Sequence, residues 1–116
     1  MTTALPRVTT IVPVFNGARY LAESIESLLA QTYPAVNVIV VGDGSTDSSA
    51  EVAARFGPRV RTLRQPNLGQ AAALNAGIAH ATGEYVAFLD ADDLWAPEKA
   101  ARQVARFEGR ADLDYC

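Results

Sequence analysis

Apolar and polar residues follow two periods that alternate along the chain. Short β-branched or continuous apolar runs predict strands at residues 8–14, 36–41, 60–64 and 84–89. Apolar residues at helical spacing predict helices at residues 20–31, 46–56, 70–81 and 97–108. Strands that alternate with helices in this way imply right-handed βαβ crossovers. The pattern therefore predicts an α/β fold: a three-layer α/β/α sandwich with a mostly parallel sheet.

Individual segments refine this prediction. The continuous apolar run at residues 36–41 is typical of a strand buried on both faces of a parallel sheet, and we expect residues 84–89 to be buried as well. Residues 60–64 are predicted to form a short edge strand. Pro97 fits the first position of the last helix. Residues 113–115 predict the start of a further strand.

Composition narrows the class of protein. The 116 residues suit one domain, and 49% hydrophobic with 20% charged residues excludes intrinsic disorder. The net charge is −3 and the ten Lys and Arg residues form no cluster, which argues against a nucleic-acid partner. The single cysteine, Cys116, excludes a disulfide framework or a cysteine zinc site within one chain.

No segment of the sequence predicts a membrane span or a secretory signal. The longest apolar run, residues 38–41, is far too short to cross a bilayer, and the first eight residues lack a charged start and an apolar stretch. We therefore expect a cytoplasmic domain with no membrane contact in this segment. Any membrane association of the parent protein is expected from segments downstream of this chain.

Three polar turns follow predicted strands, at residues 13–17, 42–47 and 90–93. Ligands of an open parallel sheet bind beyond the carboxyl ends of its strands, so we expect these turns to share one edge. None carries the glycine pattern of a dinucleotide-binding turn or a P-loop. A phosphate bound here would not be cradled by a glycine-rich loop.

The third turn, Asp90-Ala91-Asp92-Asp93, is acidic. Asp90 and Asp92 stand two residues apart at a strand end, so both can face one cation. Carboxylate oxygens with open positions suit Mg²⁺ or Mn²⁺, and such an ion would stabilise a departing diphosphate. The alternative is that these acids solvate a loop and favour the N-terminus of the next helix.

The other turns offer weaker candidates, each with a structural alternative. Asp43 can accept a hydrogen bond from a base or ribose, or it can bond its own turn backbone. Phe15 can stack on a base, or it can belong to the core. Arg64 can reach a phosphate, or it can be a solvated residue of an edge strand. His80 has no partner at metal-ligand spacing and is interpreted as a surface or boundary residue.

Taken together, these segments resemble family 2 glycosyltransferases. The motifs, in order, are I-V-P-V-F-N at 11–16, Q-T-Y-P at 31–34, V-V-G-D-G-S-T-D at 40–47, N-A-G at 75–77 and G-E-Y-V-A-F-L-D-A-D-D at 83–93. The resemblance runs from Val8 to the last residues. It implies the GT-A fold with its Rossmann-like nucleotide-binding half. It also implies inverting transfer of a sugar, of the hexosyltransferase type, from a nucleotide diphosphate donor to an acceptor hydroxyl.

The resemblance also implies roles for single residues. Pro13 and Phe15 match positions that lie against the nucleoside, and Asp43 matches the acid that contacts the base. Asp90 and Asp92 match the D-x-D pair, with Asp92 the better metal ligand and Asp90 nearer the ribose and sugar. The implied cofactor is a divalent cation, Mg²⁺ or Mn²⁺. The implied partner is a UDP-, dTDP- or GDP-type sugar donor, and the acceptor is left open.

The chain departs from the family pattern at three points. Gly42 stands where the family often has a first Asp, and Leu74 stands where many members have Arg. The family's acceptor-binding half and its catalytic base come after the point at which this sequence ends. We therefore expect residues 1–116 to be one donor-binding domain, truncated at its C-terminal end, that holds no catalytic residue and transfers no sugar by itself. Asp112 and Asp114 are too close to the acidic turn to supply the base.

Two alternatives come from other functional classes. A non-catalytic, metal-dependent nucleotide-binding module would bind a nucleotide without turnover even in the full-length protein. A receiver-like signalling domain would need an acid pair after the first strand and a lysine after the fifth. Phe15 and Asn16 occupy the first place, and the only lysine, Lys99, lies inside a predicted helix.

Overall fold

The predicted alternation of strands and helices is confirmed by a computed structural model, which describes residues 6–109. Each element lies within a few residues of its predicted place. The elements are β1 (Val8–Val14), α1 (Ala18–Leu29), β2 (Val36–Asp43), α2 (Ser49–Ala54), a 3₁₀ turn (Gly57–Arg59), β3 (Val60–Gln65), α3 (Gln70–Ala79), β4 (Tyr85–Phe88) and α4 (Lys99–Gly109).

The four described strands form one parallel sheet in the order β3-β2-β1-β4. β1 pairs with β2 from Val8 opposite Val36 to Val14 opposite Gly42. β4 lies on the other side of β1, and β3 is an edge strand as predicted. The carboxyl ends of β1, β2 and β4 are therefore neighbours, which places the three polar turns at one edge.

Helices cover both faces of this sheet, so the predicted three layers are present. One face carries the larger core, in which side chains of α1, α2 and α4 pack on the strands; its fully buried members include Val12, Leu21, Ile25, Leu28 and Ala53. On the other face a smaller cluster packs under α3; its buried members are Ile11, Ile39, Val41 and Ala73. The sheet thus separates two cores of unequal size.

Gly77 allows α3 to lie very close to β1. A Cβ atom on Gly77 would stand 2.5 Å from Cγ2 of Ile11, a distance that real Cβ contacts do not reach. At the start of this helix, Gln70 lines the same cleft as the turn that follows β4.

Three predictions about the elements need correction. The predicted helix at 46–56 is only six residues long, Ser49–Ala54, since Thr46 and Asp47 bond instead to Asn16 and Ala18. Pro97 precedes α4 instead of opening it; its carbonyl accepts the backbone N–H of Thr32 at 2.8 Å. β4 is not buried on both faces. Val86 is 40% and Phe88 50% exposed, because α3 packs on β1 and β2 and does not cover β4. The strand predicted at 113–115 lies outside the described residues.

The helices found between residues 6 and 109 are all too short or too polar to cross a membrane.

Candidate functional site

An open cleft of about 650 Å³ lies beyond the carboxyl ends of β1, β2 and β4. All five site residues predicted from the sequence line it: Pro13, Phe15, Asp43, Asp90 and Asp92. They come from three turns that are up to 79 positions apart (92 minus 13) in the sequence. The parallel topology brings them together, as expected for an open α/β sheet.

The cleft also contains side chains that the sequence did not single out. Tyr20 exposes its ring near the predicted Phe15, and Asn67 and Gln70 add amide groups on the α3 side. The guanidinium carbon of Arg19 lies 5.3 Å from the centre of the Tyr20 ring. An exposed aromatic residue in the first turn of a helix that leaves the sheet edge is a signal that could have identified Tyr20.

Asp43, the last residue of β2, fastens the loop between β3 and α3. Its Oδ1 accepts hydrogen bonds from Gln65 Nε2 and from the Leu68 backbone nitrogen, both at 2.8 Å. Its Oδ2 accepts one from the Gly69 nitrogen at 3.0 Å. A carboxylate has about four acceptor positions. These three bonds therefore leave Asp43 able to accept a further hydrogen bond at the cleft.

The same bonds change the acidity of Asp43. The Gln65 amide and then the Leu68 backbone N–H hold its pKa below the ordinary value, against a smaller opposing effect of burial. The carboxylate is therefore ionised at neutral pH. Its partners lie more than twenty residues further along the chain, whereas the structural alternative considered from the sequence was a bond to its own turn backbone.

Asn16 and Asp47 join the turn after β1 to the turn after β2. Asn16 takes a left-handed backbone conformation with φ of 50°, which asparagine tolerates better than most residues. Its Oδ1 accepts the backbone N–H of Thr46 at 2.8 Å, and its own N–H donates to Ser45 Oγ at 3.0 Å. The two turns therefore form one hydrogen-bonded unit behind the cleft.

Asp47 completes this unit with a carboxylate that serves two helices. Its Oδ2 accepts the N–H of Ala18, the first residue of α1, at 3.1 Å. Its Oδ1 accepts the N–H of Ser49, the first residue of α2, at 3.0 Å and the Ser49 hydroxyl at 2.5 Å. These contacts, the Ser49 hydroxyl foremost, lower the pKa of Asp47 despite an opposing effect of burial.

The acidic turn after β4 brings together three exposed carboxylates. One oxygen each of Asp90, Asp92 and Asp93 lies within 4.8 Å of the others. The Asp93 N–H donates to the Asp90 carbonyl at 2.9 Å and closes the turn. Gln70 Nε2, from the start of α3, donates to Asp90 Oδ1 at 3.2 Å. Clustered carboxylate oxygens on an open turn are donors of the kind that Mg²⁺ and Mn²⁺ take, so the residues present fit a divalent cation. Asp93 joins the predicted pair in this cluster.

Two other candidates lie away from the cleft. Arg64 lines a separate cavity of about 370 Å³ beside α2, together with Asp47 and Ser49. His80 lies at the far end of α3, where its Nδ1 is 2.9 Å from the Ala76 carbonyl oxygen. Arg64 thus lies beside the turn that follows β2 but does not line the cleft, and His80 lies at the opposite end of α3 from it.

Known proteins are similar to this chain in sequence and in fold. The sequence model described as Glycosyl transferase family 2 matches residues 9–116. An uncharacterized glycosyltransferase of Nostoc sp. is 44% identical over 106 residues, covering 88% of this chain and 33% of that protein. The mannosyltransferase PcManGT from Pyrobaculum calidifontis, solved with GDP-Man and Mn²⁺, has a TM-score of 0.83 at 36% identity and covers 90% of this chain and 33% of its own. S. aureus TarS 1-349, solved with UDP-GlcNAc, has a TM-score of 0.85 at 27% identity, and the match covers 90% of this chain and 32% of the TarS chain.

The fold and these likenesses define a glycosyltransferase domain with the GT-A fold. The chain belongs to glycosyl transferase family 2. It spans about a third of the length of each of these three proteins. Their transferase names do not favour the non-catalytic nucleotide-binding module.

Proposed function

We propose that this chain is the donor-binding part of an inverting hexosyltransferase that moves a sugar from a nucleoside diphosphate to an acceptor hydroxyl. The observation that carries the proposal is that an exposed aromatic ring, an ionised aspartate and an acidic cluster share one cleft. PcManGT and TarS, which have the same fold, were solved with GDP-Man and with UDP-GlcNAc. The donor is accordingly proposed to be a UDP-, dTDP- or GDP-linked sugar.

The nucleoside is proposed to lie between the first two turns. Phe15 is 55% exposed at the cleft, so its ring is free to stack on a base, with Pro13 beside it. Asp43 has room to accept one N–H from the base or one O–H from the ribose. A hydrogen bond to an ionised carboxylate is stronger than one between neutral groups, which would help to select the base.

The diphosphate is proposed to lie at the acidic turn. Asp92 is the main candidate to hold a divalent cation, Mg²⁺ or Mn²⁺, with Asp90 nearer the ribose and sugar and Asp93 close by. When bound, such an ion supplies charge neutralisation for the diphosphate leaving group. The protein's own contribution is to keep the three carboxylates converged and Asp90 oriented by Gln70.

The general base is proposed to lie outside residues 6–109. Of the carboxylates that line the cleft in this part of the chain, Asp43 is engaged by the loop and Asp90 and Asp92 are assigned to the cation. General-base catalysis contributes about 10²–10⁴-fold to such reactions. The chain alone is therefore proposed to bind the donor without transferring sugar at an enzymatic rate.

Calorimetric titration of UDP and GDP into the 116-residue chain tests the proposal. The affinity for at least one of the two nucleotides should be at least about tenfold higher in Mn²⁺ than in EDTA. Asp92→Asn should remove most of that gain, whereas Glu23→Gln, which neutralises an exposed acid on α1, should keep it. Equal binding by all three proteins with and without metal would refute the assignment of the acidic turn.

A further inference from the structure

Ser24 connects helix α1 to the acidic turn from beneath. The residue is fully buried, and its Oγ lies 2.8 Å from the Ala91 carbonyl oxygen and 2.6 Å from that of Asp93. These two carbonyls belong to the residues on either side of Asp92. A serine hydroxyl has one proton, so the two carbonyls share a single donor. One side chain thus contacts the backbone on both flanks of Asp92, through one shared proton.

We propose that Ser24 is a positioning residue of the cation site. It holds the peptide on both sides of Asp92 so that the three carboxylates stay converged before a cation arrives. The inference rests on the proposed function of the acidic turn. It assigns no contact between Ser24 and the cation.

The reason for such a clamp is electrostatic. Three carboxylates whose oxygens lie within 4.8 Å of one another repel, and all three side chains are exposed. Repulsion favours any rearrangement of the turn that separates them, so an unclamped turn would have to reconverge when the cation binds. If Ser24 already holds the carboxylates together in the folded chain, cation binding does not have to supply that free energy, and the affinity for the cation is higher.

Ser24 belongs to a row of three polar residues, Ser24 and Ser27 on α1 and Gln31 two residues after its end. Ser27 Oγ accepts the Trp95 N–H at 3.2 Å. Gln31 donates to the Ala96 carbonyl at 2.8 Å and accepts the Ala100 N–H at 2.9 Å. The three positions, 24, 27 and 31, follow helical spacing. This row holds the segment from the acidic turn to α4 against α1.

Within the row, only the first residue bonds the turn itself. Ser27 and Gln31 bond to Trp95, Ala96 and Ala100, which lie beyond the three acids, and to the carbonyls of Ser24 and Ser27 within the row. Ser27→Ala is therefore a matched control for Ser24→Ala, because each removes one hydroxyl from the same helix and the same row. A general loss of packing would affect both variants, whereas a loss of positioning at Asp92 would affect only one.

The test uses Mn²⁺ as the probe in the full 116-residue chain. Mn²⁺ affinity is read by electron paramagnetic resonance of the free ion, and UDP affinity by calorimetry in Mn²⁺ and in EDTA. Loss of a group that orients metal ligands typically costs 10–100-fold in affinity. Because Ser24 acts through the backbone, we expect about a tenfold loss of Mn²⁺ affinity in Ser24→Ala. UDP binding in EDTA should stay unchanged, and Ser27→Ala should stay within about twofold of the parent chain.

Thermal unfolding separates positioning from simple structural support. If Ser24→Ala and Ser27→Ala lose similar melting temperature and only the first loses Mn²⁺ affinity, the inference is supported. If Ser24→Ala melts lower yet binds Mn²⁺ as the parent does, the inference is overturned while the cation site stands. Absence of Mn²⁺ binding in the parent chain overturns both. Should Ser24→Ala not fold, Ser24→Cys, which keeps the size with a weaker donor, is compared in the same way.

Discussion

The carboxylate of Asp47 accepts the backbone N–H of Ala18 at 3.1 Å, so a side chain from the turn after β2 closes the first turn of the helix that follows β1. The same carboxylate accepts the N–H and the hydroxyl of Ser49. One exposed side chain thus satisfies donors at the start of two helices, each of which would otherwise lack a partner within its helix. Its place beside the cleft suits a structural role that supports the site without contacting a ligand.

Replacing Asp47 by alanine should lower the stability of the chain. Loss of a side-chain acceptor at a helix start typically costs about 0.5–2 kcal/mol, and Asp47 serves two such starts. Urea unfolding followed by circular dichroism measures the change. The stability of Asp47→Asn, which keeps one acceptor oxygen, should lie between that of Asp47→Ala and that of the parent chain. Stability of Asp47→Ala equal to that of the parent chain would contradict the role of this carboxylate.

Acid should destabilise the fold through Asp43 and Asp47. The folded state lowers the pKa of both carboxyls, so their contribution is complete above the unfolded value of about 4 and is lost as the pH falls through the lower folded values. Melting temperatures measured from pH 7 to pH 3 should therefore decline mainly below about pH 4. In Asp47→Asn the decline should be shallower. An unchanged slope would show that Asp47 does not contribute.

Two adjacent threonines of β1 should respond in opposite ways to valine. Among the buried side-chain oxygen and nitrogen atoms described up to residue 106, only Thr10 Oγ1 lacks a hydrogen-bond partner. Thr10→Val should raise stability by roughly 1 kcal/mol, because the buried hydroxyl is replaced by a methyl group of similar shape. Thr9 is buried as well, but its Oγ1 accepts the Gly83 N–H at 3.1 Å. Thr9→Val should therefore lower stability. A decrease of equal size in both variants would contradict the distinction.

Asp43→Asn separates base recognition from support of the loop. The amide keeps one acceptor oxygen but cannot accept the N–H groups on both sides of the carboxylate, so the melting temperature should fall. If Asp43 also contacts the base, calorimetry should show a smaller difference between UDP and GDP affinity than in the parent chain.

Gln65→Met is the control for this experiment. It removes the side-chain donor that bonds Asp43 and leaves the carboxylate in place. It should change the two nucleotide affinities by the same factor. If Asp43→Asn also changes the UDP and GDP affinities by the same factor, Asp43 supports the loop and does not contact the base.

The sequence predicted the fold well because hydrophobic periodicity and strand–helix alternation act locally. It also predicted that Pro13, Asp43 and Asp90 would share one edge, since parallel topology alone brings strand ends together. Periodicity cannot show which side chain bonds which backbone group. The partners of Asp43 are Gln65, at the end of the neighbouring strand β3, and Leu68 and Gly69 in the irregular loop that follows it, and nothing in their spacing identifies them.

Ser24 was missed for a related reason. On the buried face of an amphipathic helix a serine is indistinguishable from any other small residue, and its partners are two backbone carbonyls that carry no sequence signal. The exposure of Phe88 was missed because an apolar run predicts burial, while the helix that would cover that face packs elsewhere.

β4 has practical consequences for work with this chain. It is four residues long, has no neighbour on its outer side among the described strands, and exposes Val86 and Phe88 on one face. An unpaired strand edge beside exposed apolar side chains promotes aggregation. Concentrated samples should aggregate through this edge first, and a lysine in place of Val86 is the change that we expect to keep them in solution.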